Sequence, residues 1–359
     1  MRAAVLTQYN EPLVIEELSS PPLGPGDVRV HIDASGVCHS DLTVQKGGVP
    51  MPPPVILGHE GAGTVLEVGS DVSGLAVGDK VIASFIPACG TCWYCLHDQS
   101  NLCESANALM FATRGVRADG GTVFGMTGLG TFADEMVTSQ TMVVKVETDV
   151  PAEQLALIGC GVTTGVGAAL NTARVEPGAT VAVIGCGGVG QAVIQGARIA
   201  GASRIFAIDP VELKRKTAEQ LGATDLIDPS DGGSIAAVQA ATGGRGADYV
   251  FEVIGLPDTI LQAFQTARRG GTVCIVGMPR IDQQVTFPAF PLFSDEKKML
   301  GCFYGSAQVR RDFPRFVSLI ETGRLDVGSM VSRHIHLDEV NEAFRAMEAG
   351  EVIRSVITD

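Results

Sequence analysis

The alternation of apolar strands and amphipathic helices between about residues 178 and 278 constrains the fold more than any other feature of the sequence. The segment ATVAVIG is a continuous apolar run with β-branched residues, which is typical of a strand buried on both faces. Helical spacing follows in GQAVIQGARIAG, and further strands are predicted at RIFAID, ATDLID, ADYVFEVIG and TVCIVGM. Repeated strand–helix units at this spacing predict an α/β fold with a doubly wound parallel sheet.

The segments on either side of this unit have a different pattern. Up to about residue 150, stretches such as DVRVHIDASG and GAGTVLEVGSDV partly alternate apolar and polar residues, which favours short β-strands. After about residue 300, two helices are predicted at RDFPRFVSLIETG and LDEVNEAFRAMEAG, and a last strand at VIRSVITD. We therefore predict a β-rich domain formed by residues 1–160 and 301–359, with the α/β domain of residues 161–300 inserted in it.

Length, charge and cysteine content narrow the possible classes of protein. The 359 residues are more than a single hydrophobic core usually supports, so two domains are expected. A net charge of −14 argues against binding to nucleic acid or anionic membranes. No apolar run reaches the ~20 residues of a membrane-spanning helix, and the N-terminus lacks a signal-peptide core. A cytoplasmic location is expected, where nine cysteines indicate metal or thiol chemistry rather than disulfides.

A glycine-rich turn stands at the first strand–helix junction of the α/β domain. Its residues are Gly185, Cys186, Gly187, Gly188, Val189 and Gly190, which match G-x-G-x-x-G in the required context. Gly185 allows the tight turn, Gly187 lets the backbone approach a pyrophosphate, and Gly190 lets the helix pack closely on the strand. Asp209 ends the next strand, where it can bind both ribose hydroxyls and repel a 2′-phosphate. The pattern predicts an NAD site, and a purely structural turn is the alternative.

Four cysteines lie close together in one loop region. Cys89, Cys92, Cys95 and Cys103 follow the spacing C-x2-C-x2-C-x7-C. Four thiolates can surround one tetrahedral Zn²⁺ and leave no position open for substrate, so a structural zinc is predicted. Disulfides or unrelated thiols are the alternative.

Three further residues could form a catalytic metal site. Cys38, His59 and Cys160 together make a Cys2His set, which leaves a fourth zinc position for water or an alcohol oxygen. Each also has an ordinary explanation, Cys160 as a small core residue and His59 as a hydrogen-bonded loop histidine. Their spacing does not show whether they converge.

The stretch GHEGAGTVLEVGSDV matches the signature G-H-E-x2-G-x5-G-x2-V. Together with GVCHSD, the four-cysteine lobe, GCGVTTG, GCGGVG and IRSV, it makes the whole chain resemble the zinc-containing alcohol dehydrogenases of the medium-chain dehydrogenase/reductase family. The resemblance implies a Rossmann domain inserted in a GroES-like catalytic domain. It also implies NAD as cofactor, two zinc ions per subunit and pairing of subunits through edge strands, as a homodimer or homotetramer.

The same resemblance implies roles for individual residues. The catalytic zinc is bound by Cys38, His59 and Cys160. The catalytic residues are Ser40, which takes the alcohol proton, Asp41, which holds the imidazole of His59, and Glu60, which lies behind the metal and can exchange with the solvent ligand. The cofactor contacts are Thr164 and Val189 at the nicotinamide, His39 and Arg354 at the pyrophosphate, and Lys214 beside the adenosine ribose. Many relatives complete the proton relay with a histidine where this chain has Thr43, so the relay either ends in His39, the cofactor ribose and water or runs more slowly.

The substrate is predicted from two aromatic positions. Phe85 and Phe293 fall where the family lines its substrate channel, which favours apolar primary alcohols, benzylic or of medium to long chain. Ordinary core aromatics are the alternative explanation. A glutathione–formaldehyde adduct is disfavoured, because QKGGVPMPPPVIL carries no acid and Asn107 stands where relatives have arginine. A dehydrogenase for such a thiol adduct or a polyol, and a non-catalytic nicotinamide sensor, are the competing functions.

Overall fold

The structure, a computed structural model, describes residues 1–358, and Asp359 lies outside this range. The chain forms two compact units. The first unit comprises Met1–Gly161, Gln308–Gly323 and the segment that begins at Val331. The second comprises Val162–Ala307 and Arg324–Met330. Each unit is therefore assembled from segments that are distant in sequence.

Strands and helices are distributed along the whole described chain. The strands are β1 (Arg2–Leu6), β2 (Val14–Glu17), β3 (Asp27–Gly36), β4 (Val55–Ile56), β5 (Glu60–Val68), β6 (Lys80–Ala83), β7 (Thr113–Val116), β8 (Thr122–Gly125), β9 (Glu135–Ser139), β10 (Val143–Lys145), β11 (Thr180–Ile184), β12 (Arg204–Ile208), β13 (Asp225–Ile227), β14 (Ala247–Glu252), β15 (Ala267–Ile275), β16 (Lys298–Gly301), β17 (Val331–Ile335) and β18 (Arg354–Thr358). The α-helices are α1 (His39–Gln45), α2 (Trp93–Leu96), α3 (Ala106–Leu109), α4 (Ala152–Leu157), α5 (Thr163–Gly167), α6 (Gly188–Ala200), α7 (Glu212–Leu221), α8 (Ser234–Ala241), α9 (Pro257–Thr266), α10 (Ala289–Ser294), α11 (Val309–Glu321) and α12 (Val340–Glu348). Short 3₁₀ turns lie at Ser100–Leu102, Met126–Gly128, Gln140–Met142, Pro229–Asp231, Tyr304–Ser306, Gly328–Met330 and Leu337–Glu339.

Two β-sheets form the framework of the first unit. One has the strand order β2-β1-β4-β8-β7, and the other has the order β10-β6-β5-β3-β18-β17, with β9 also paired to β3. In β3 the alternate residues Val28, Val30 and Ile32 are buried and pack against Val65 of β5 and Met136 of β9. This is the period of two that DVRVHIDASG predicts. The expected β-rich character of this unit is confirmed.

A parallel sheet forms the centre of the second unit. Its strand order is β13-β12-β11-β14-β15-β16, which counted from β11 is the 3-2-1-4-5-6 order of a Rossmann fold. The order reverses between β11 and β14. In such sheets ligands bind outside the carboxyl ends of the strands at that reversal, where the glycine-rich turn follows β11. The predicted doubly wound sheet is confirmed.

Strand β16 was not predicted from the sequence. It has four residues, Lys298–Gly301, and the first and last are exposed. A short edge strand of this kind shows neither a continuous apolar run nor a full period of alternation, which are the signals that identify strands.

The stretch Ala152–Thr172 is helical and contains two π-helical turns, Ile158–Val162 and Ala168–Thr172. By length and composition it could cross a membrane, although no such segment was expected from the sequence. However, 83% of its most apolar window is buried inside the protein. A buried core helix passes the same test, so this stretch is weak evidence for a membrane span.

Candidate metal centre and cofactor-binding turn

A cluster of four buried metal-ligating side chains lies in the first unit. One ligand atom from each of Cys38, His59, Glu60 and Cys160 lies within 4.8 Å of all the others. Cys38 caps the start of α1, His59 directly precedes β5, Glu60 is the first residue of β5, and Cys160 lies in a π-helical turn. The fold therefore brings together the three predicted catalytic zinc ligands and Glu60. We call this group the catalytic cluster.

The carboxylate of Asp41 orients two members of the catalytic cluster. Its Oδ1 accepts hydrogen bonds from Nδ1 of His59 at 3.0 Å and from the backbone N–H of Gly58 at 3.1 Å. Its Oδ2 accepts from the backbone N–H of Cys38 at 2.9 Å. Asp41 is fully buried. Because Nδ1 of His59 donates to this carboxylate, Nε2 is the ring nitrogen that can bind a metal once it has lost its proton.

The local electrostatics favour charged forms of these ligands. Hydrogen bonding to Cys160 and His59 holds the pKa of Cys38 well below its ordinary value, although burial opposes this shift. Burial lowers the pKa of His59, but the charge of Asp41 and the Cys38 thiolate outweigh it and raise that pKa to about 10. Since a metal needs a neutral imidazole, zinc binding at His59 releases a proton.

Glu60 is held in a buried ion pair. Its Oε2 accepts from Nη2 of Arg354, and its Oε1 accepts from the backbone N–H of Gly161 at 3.0 Å. Both charged side chains are almost completely buried. Arg354 was predicted to meet a pyrophosphate, and the structure shows its guanidinium bound to the carboxylate of Glu60.

The π-helical turn around Cys160 packs closely against β5 and β6. A Cβ atom at Gly159 would lie 2.9 Å from the carbonyl oxygen of Ala83 and 3.3 Å from the Cα of Glu60. Glycine before Cys160 therefore lets the helix come close to the strands. Single π-turns inserted in helices are frequent at functional sites, and this one contains a predicted metal ligand.

The second cluster consists of Cys89, Cys92, Cys95 and Cys103, whose sulfur atoms also lie within 4.8 Å of one another. The Sγ atoms of Cys89 and Cys95 are 3.8 Å apart, and those of Cys92 and Cys103 are 3.9 Å apart. A disulfide has an S–S bond of about 2.05 Å, so neither pair is bridged, and none of the four cysteines forms a disulfide with another residue. A tetrahedral zinc with Zn–S bonds of about 2.3 Å requires sulfur–sulfur edges of about 3.8 Å. The four cysteines therefore fit a structural zinc.

Backbone N–H groups stabilise the thiolates of this lobe. The N–H groups of Thr91 and Cys92 both point at Sγ of Cys89, at 3.4 Å each. Burial raises the pKa of Cys89, but these hydrogen bonds outweigh it and lower the pKa to about 5. The loop thus prepares at least one negatively charged sulfur for a cation.

The glycine-rich turn has the backbone that the sequence predicts. Gly185 has a φ of +93°, and a Cβ at Gly190 would overlap the carbonyl oxygen of Gly185. A Cβ at Gly187 would meet nothing within 4 Å, so the turn is open on that side. Helix α6 begins directly behind it at Gly188. Its free N–H groups suit an anionic ligand such as a pyrophosphate.

Asp209 at the end of β12 is tied to this turn. Its Oδ2 accepts from the backbone N–H of Cys186 at 2.8 Å, and its Oδ1 accepts from the N–H of Val211 at 2.9 Å. Each carboxylate oxygen retains acceptor capacity, so the side chain can still bind hydroxyl groups. Lys214 lies half-buried in the first turn of α7.

The predicted nicotinamide contacts lie together in the second unit. A Cβ at Gly165, next to Thr164, would overlap the carbonyl oxygen of Val189. Helix α5 therefore packs directly on the start of α6. Thr164 and Val189 are partly exposed, while most of their neighbours are buried.

The predicted proton-relay residues lie on α1, directly after the metal ligand Cys38. Ser40 is half-buried and His39 is exposed. The hydroxyl of Thr43 donates to the backbone carbonyl of His39 at 2.9 Å. The hydroxyl proton of Thr43 is thus hydrogen-bonded to the helix backbone. A histidine at this position would instead complete the proton relay.

The two predicted substrate-channel aromatics differ in their surroundings. The ring of Phe85 stands edge-on to the imidazole of His59, with centroids 5.7 Å apart and an interplanar angle of 85°. Phe293 in α10 is 79% exposed, and its ring lies 6.5 Å from that of Phe290. Phe85 therefore belongs to the surroundings of the catalytic cluster, whereas Phe293 lies on the surface of the second unit.

One buried acidic residue near the turn was missed by the sequence analysis. Glu252 ends β14, and its Oε1 accepts from the N–H groups of Ile254 at 2.9 Å and Gly255 at 2.8 Å and from the Thr259 hydroxyl at 2.7 Å. Ile254 in turn packs against Gly185. Glu252 thus shapes the loop beside the glycine-rich turn. A charged residue inside the apolar run ADYVFEVIG was the available signal.

Comparisons with known proteins agree with this fold and these clusters. Residues 24–148 match the alcohol dehydrogenase GroES-like domain, and residues 188–322 match the zinc-binding dehydrogenase domain. The chain is 38% identical to S-(hydroxymethyl)glutathione dehydrogenase of Synechocystis sp., covering 99% of both chains. It is 37% identical to alcohol dehydrogenase B of Mycobacterium tuberculosis, covering 99% of this chain and 97% of that protein. The crystal structure of benzyl alcohol dehydrogenase from Acinetobacter calcoaceticus superposes with a TM-score of 0.92 at 30% identity, covering 99% and 98% of the two chains.

Fold, ligand clusters and sequence similarity define a zinc-dependent oxidoreductase that acts on alcohols. The chain belongs to the zinc-containing alcohol dehydrogenases of the medium-chain dehydrogenase/reductase family, with a GroES-like domain and a Rossmann domain.

Proposed function

We propose that the protein is an NAD-dependent dehydrogenase that converts an apolar primary alcohol, aromatic or of medium to long chain, reversibly into its aldehyde. The observation that carries this proposal is the catalytic cluster. Its two thiols and one imidazole converge within 4.8 Å, and Asp41 leaves Nε2 of His59 available. A Cys2His set with one position open is the ligand set of a catalytic zinc, whereas a structural zinc would have a closed shell.

In this mechanism Cys38, His59 and Cys160 hold the catalytic zinc, and Cys89, Cys92, Cys95 and Cys103 hold the structural one. When bound, zinc supplies a Lewis acid that acidifies the alcohol hydroxyl, and the nicotinamide supplies the hydride acceptor. Asp41 keeps the imidazole of His59 in one tautomer and orientation. Ser40 accepts the hydroxyl proton of the substrate. With the Thr43 hydroxyl bonded to the helix backbone, His39, the cofactor ribose and water are the remaining routes for that proton.

We propose that the glycine-rich turn binds NAD in preference to NADP. The N-terminus of α6 suits the pyrophosphate, and Asp209 would accept hydrogen bonds from the ribose hydroxyls and repel a 2′-phosphate. Thr164 and Val189 would contact the nicotinamide, and Lys214 the adenosine ribose. His39 and Arg354 would approach the pyrophosphate. For Arg354 this requires that its guanidinium bind the pyrophosphate while it keeps its ion pair with Glu60.

The position of Phe85 supports an apolar substrate. Its ring lies against His59, where it would bury the carbon skeleton of an alcohol bound at the metal. The 30% identical relative named benzyl alcohol dehydrogenase is consistent with an aromatic alcohol. Phe293 would complete the channel only if its exposed ring becomes covered.

A second candidate substrate is a thiol–formaldehyde adduct. It is favoured by the 38% identity to S-(hydroxymethyl)glutathione dehydrogenase of Synechocystis sp.. It is opposed by Asn107, which lacks the positive charge expected there, and by the absence of acidic residues from QKGGVPMPPPVIL.

We further propose a cytoplasmic homodimer or homotetramer. Residues 1–160 and 301–359 would form the catalytic domain, and residues 161–300 the NAD domain. The edge position of β16 supports pairing of two Rossmann domains along this strand, and the exposed rings of Phe290 and Phe293 lie on α10, which precedes it in the sequence. Light scattering coupled to size-exclusion chromatography would measure the subunit number.

The test is an initial-rate assay of NAD⁺ reduction with benzyl, cinnamyl, straight-chain and secondary alcohols, and with formaldehyde plus glutathione. We expect the highest kcat/KM with benzylic or longer primary alcohols. Turnover only in the presence of a thiol would favour the second candidate. Metal analysis should give two zinc ions per chain, and one or none without turnover would indicate a non-catalytic nicotinamide sensor.

A further inference from the structure

Gln191 is a fully buried polar residue at the start of α6 that connects two segments of the second unit. Its Nε2 donates to the carbonyl oxygen of Cys186 at 2.8 Å and to the carbonyl oxygen of Lys214 at 2.8 Å. Cys186 is the second residue of the glycine-rich turn, and Lys214 lies in the first turn of α7. One amide group therefore joins the turn to the helix.

The peptide groups around Cys186 are fixed on both sides. The N–H of Cys186 donates to Asp209 and its carbonyl accepts from Gln191, both at 2.8 Å. Asp209 also accepts from the N–H of Val211, just before α7. Two independent links, one through Asp209 and one through Gln191, thus set the spacing between the turn and α7.

The amide of Gln191 is held through its nitrogen alone. Its Oε1 is buried and accepts no hydrogen bond from any described residue between 1 and 358. An apolar side chain of equal length would remove this unpaired acceptor, but it would leave the carbonyl oxygens of Cys186 and Lys214 without their donor. The orientation of the amide is therefore set by the two backbone segments that its donated hydrogen bonds hold.

We infer that Gln191 is a positioning residue for the dinucleotide, because it holds the pyrophosphate-binding turn at a fixed distance from the first turn of α7. This inference rests on the proposed NAD site. A dinucleotide touches both segments at once, the turn with its pyrophosphate and α7 with its adenosine ribose. An altered spacing weakens both contacts, whereas the reacting groups at the catalytic cluster are untouched.

The chain contains a matched control on the same helix. Gln195 lies one turn further along α6 and is equally buried. Its Nε2 donates to the carbonyl oxygen of Asp326 at 2.9 Å, and its Oε1 accepts from the N–H of Asp326 at 2.7 Å. It also makes two backbone hydrogen bonds, but to a segment that is not part of the glycine-rich turn or α7.

The experiment compares Gln191→Met and Gln195→Met in the zinc-loaded full chain. The dissociation constants of NAD and of ADP-ribose are measured by calorimetry, together with kcat and the thermal unfolding midpoint. We expect Gln191→Met to raise both dissociation constants about tenfold, while kcat at saturating NAD changes less than about twofold. We expect Gln195→Met to change neither constant, although its unfolding midpoint falls at least as far.

Three results would overturn the inference. They are unchanged NAD and ADP-ribose binding by Gln191→Met, an equal weakening in both variants, and a loss of kcat without a change in binding. If Gln191→Met does not fold, Gln191→Leu is measured in the same way, and hydrogen exchange of residues 186–190 and 211–216 reports whether the link is lost. If the wild-type chain itself binds neither NAD nor ADP-ribose, the proposed cofactor site fails and this inference fails with it.

Discussion

Replacing Asp41 with asparagine should selectively weaken the catalytic zinc site. The carboxylate accepts three hydrogen bonds, from His59, Gly58 and Cys38, and is fully buried. In Asp41→Asn the amide oxygen can still face His59 and Gly58, but the amide N–H₂ then faces the N–H of Cys38. One hydrogen bond to a charged acceptor is lost and two are weakened. Each such bond contributes about 1.5–3 kcal/mol, so we expect the unfolding free energy to fall by about 3 kcal/mol.

The effect on zinc follows from the orientation of His59. Groups that hydrogen-bond a metal-binding histidine typically change metal affinity about 10–100-fold when they are mutated. We therefore expect Asp41→Asn to lose the catalytic zinc at a chelator concentration about 10–100-fold lower than the wild type, while the four-cysteine site keeps its zinc. The assay is zinc content by mass spectrometry after equilibration with graded chelator, with thermal unfolding in parallel.

Asp312→Asn is the matched control for this variant. Asp312 is also fully buried and accepts from the backbone N–H of Gln308 at 2.9 Å at the start of α11, as Asp41 does from Cys38 at the start of α1. It should destabilise the fold to a similar degree without changing zinc release. The reasoning would be refuted if Asp41→Asn kept both zinc ions as firmly as the wild type, or if Asp312→Asn released the catalytic zinc equally well.

Three further predictions test other parts of the site and fold. Cys160→Ala should abolish turnover and reduce the zinc content from two to one, with an unchanged circular dichroism spectrum; near-normal activity would exclude Cys160 as a ligand. Asp209→Gly should lower kcat/KM for NAD and raise it for NADP, and unchanged cofactor selectivity would contradict the role of Asp209. Burial raises the pKa of Asp248, but hydrogen bonds from Thr180 and Arg268 outweigh it and hold it below 3.8. The contribution of Asp248 to the free energy of unfolding is present above pH 3.8 and is lost as the pH falls through the lowered pKa. Asp248→Asn should therefore be less stable than the wild type at pH 7 but nearly equal to it in acid. An equal stability deficit at both pH values would contradict this.

The parallel sheet could be predicted because its signals are local. Buried strands such as ATVAVIG carry continuous apolar runs, and the glycine-rich pattern predicts the junction of β11 with α6. Strand β16 lacks such a signal, because two of its four residues at the sheet edge are exposed and the other two are only partly buried. The π-helical turn at Cys160 was also unpredictable, since it depends on how closely that helix packs against Ala83 and Glu60.

Individual ligands could be identified from the sequence, but their partners could not. The resemblance to a known family singled out Cys38, His59 and Cys160, whereas spacing alone did not show that they meet. The hydrogen bonds of Gln191 and Glu252 reach backbone atoms on other segments, which only the folded chain brings near. Buried polar residues inside apolar runs are the one sequence signal that points to such links.

The charges around the catalytic cluster bear on whether Glu60 is a permanent ligand in the proposed zinc site. Arg354 neutralises Glu60 in a buried pair, and breaking such a pair leaves an uncompensated charge at a cost of about 3–5 kcal/mol. In the proposed site the thiolates of Cys38 and Cys160 would balance the two positive charges of zinc. Glu60 already accepts a hydrogen bond on each carboxylate oxygen, on Oε2 from Arg354 and on Oε1 from the backbone N–H of Gly161. We therefore expect three protein ligands with the fourth position open for the alcohol, since ligation by Glu60 would compete with these hydrogen bonds.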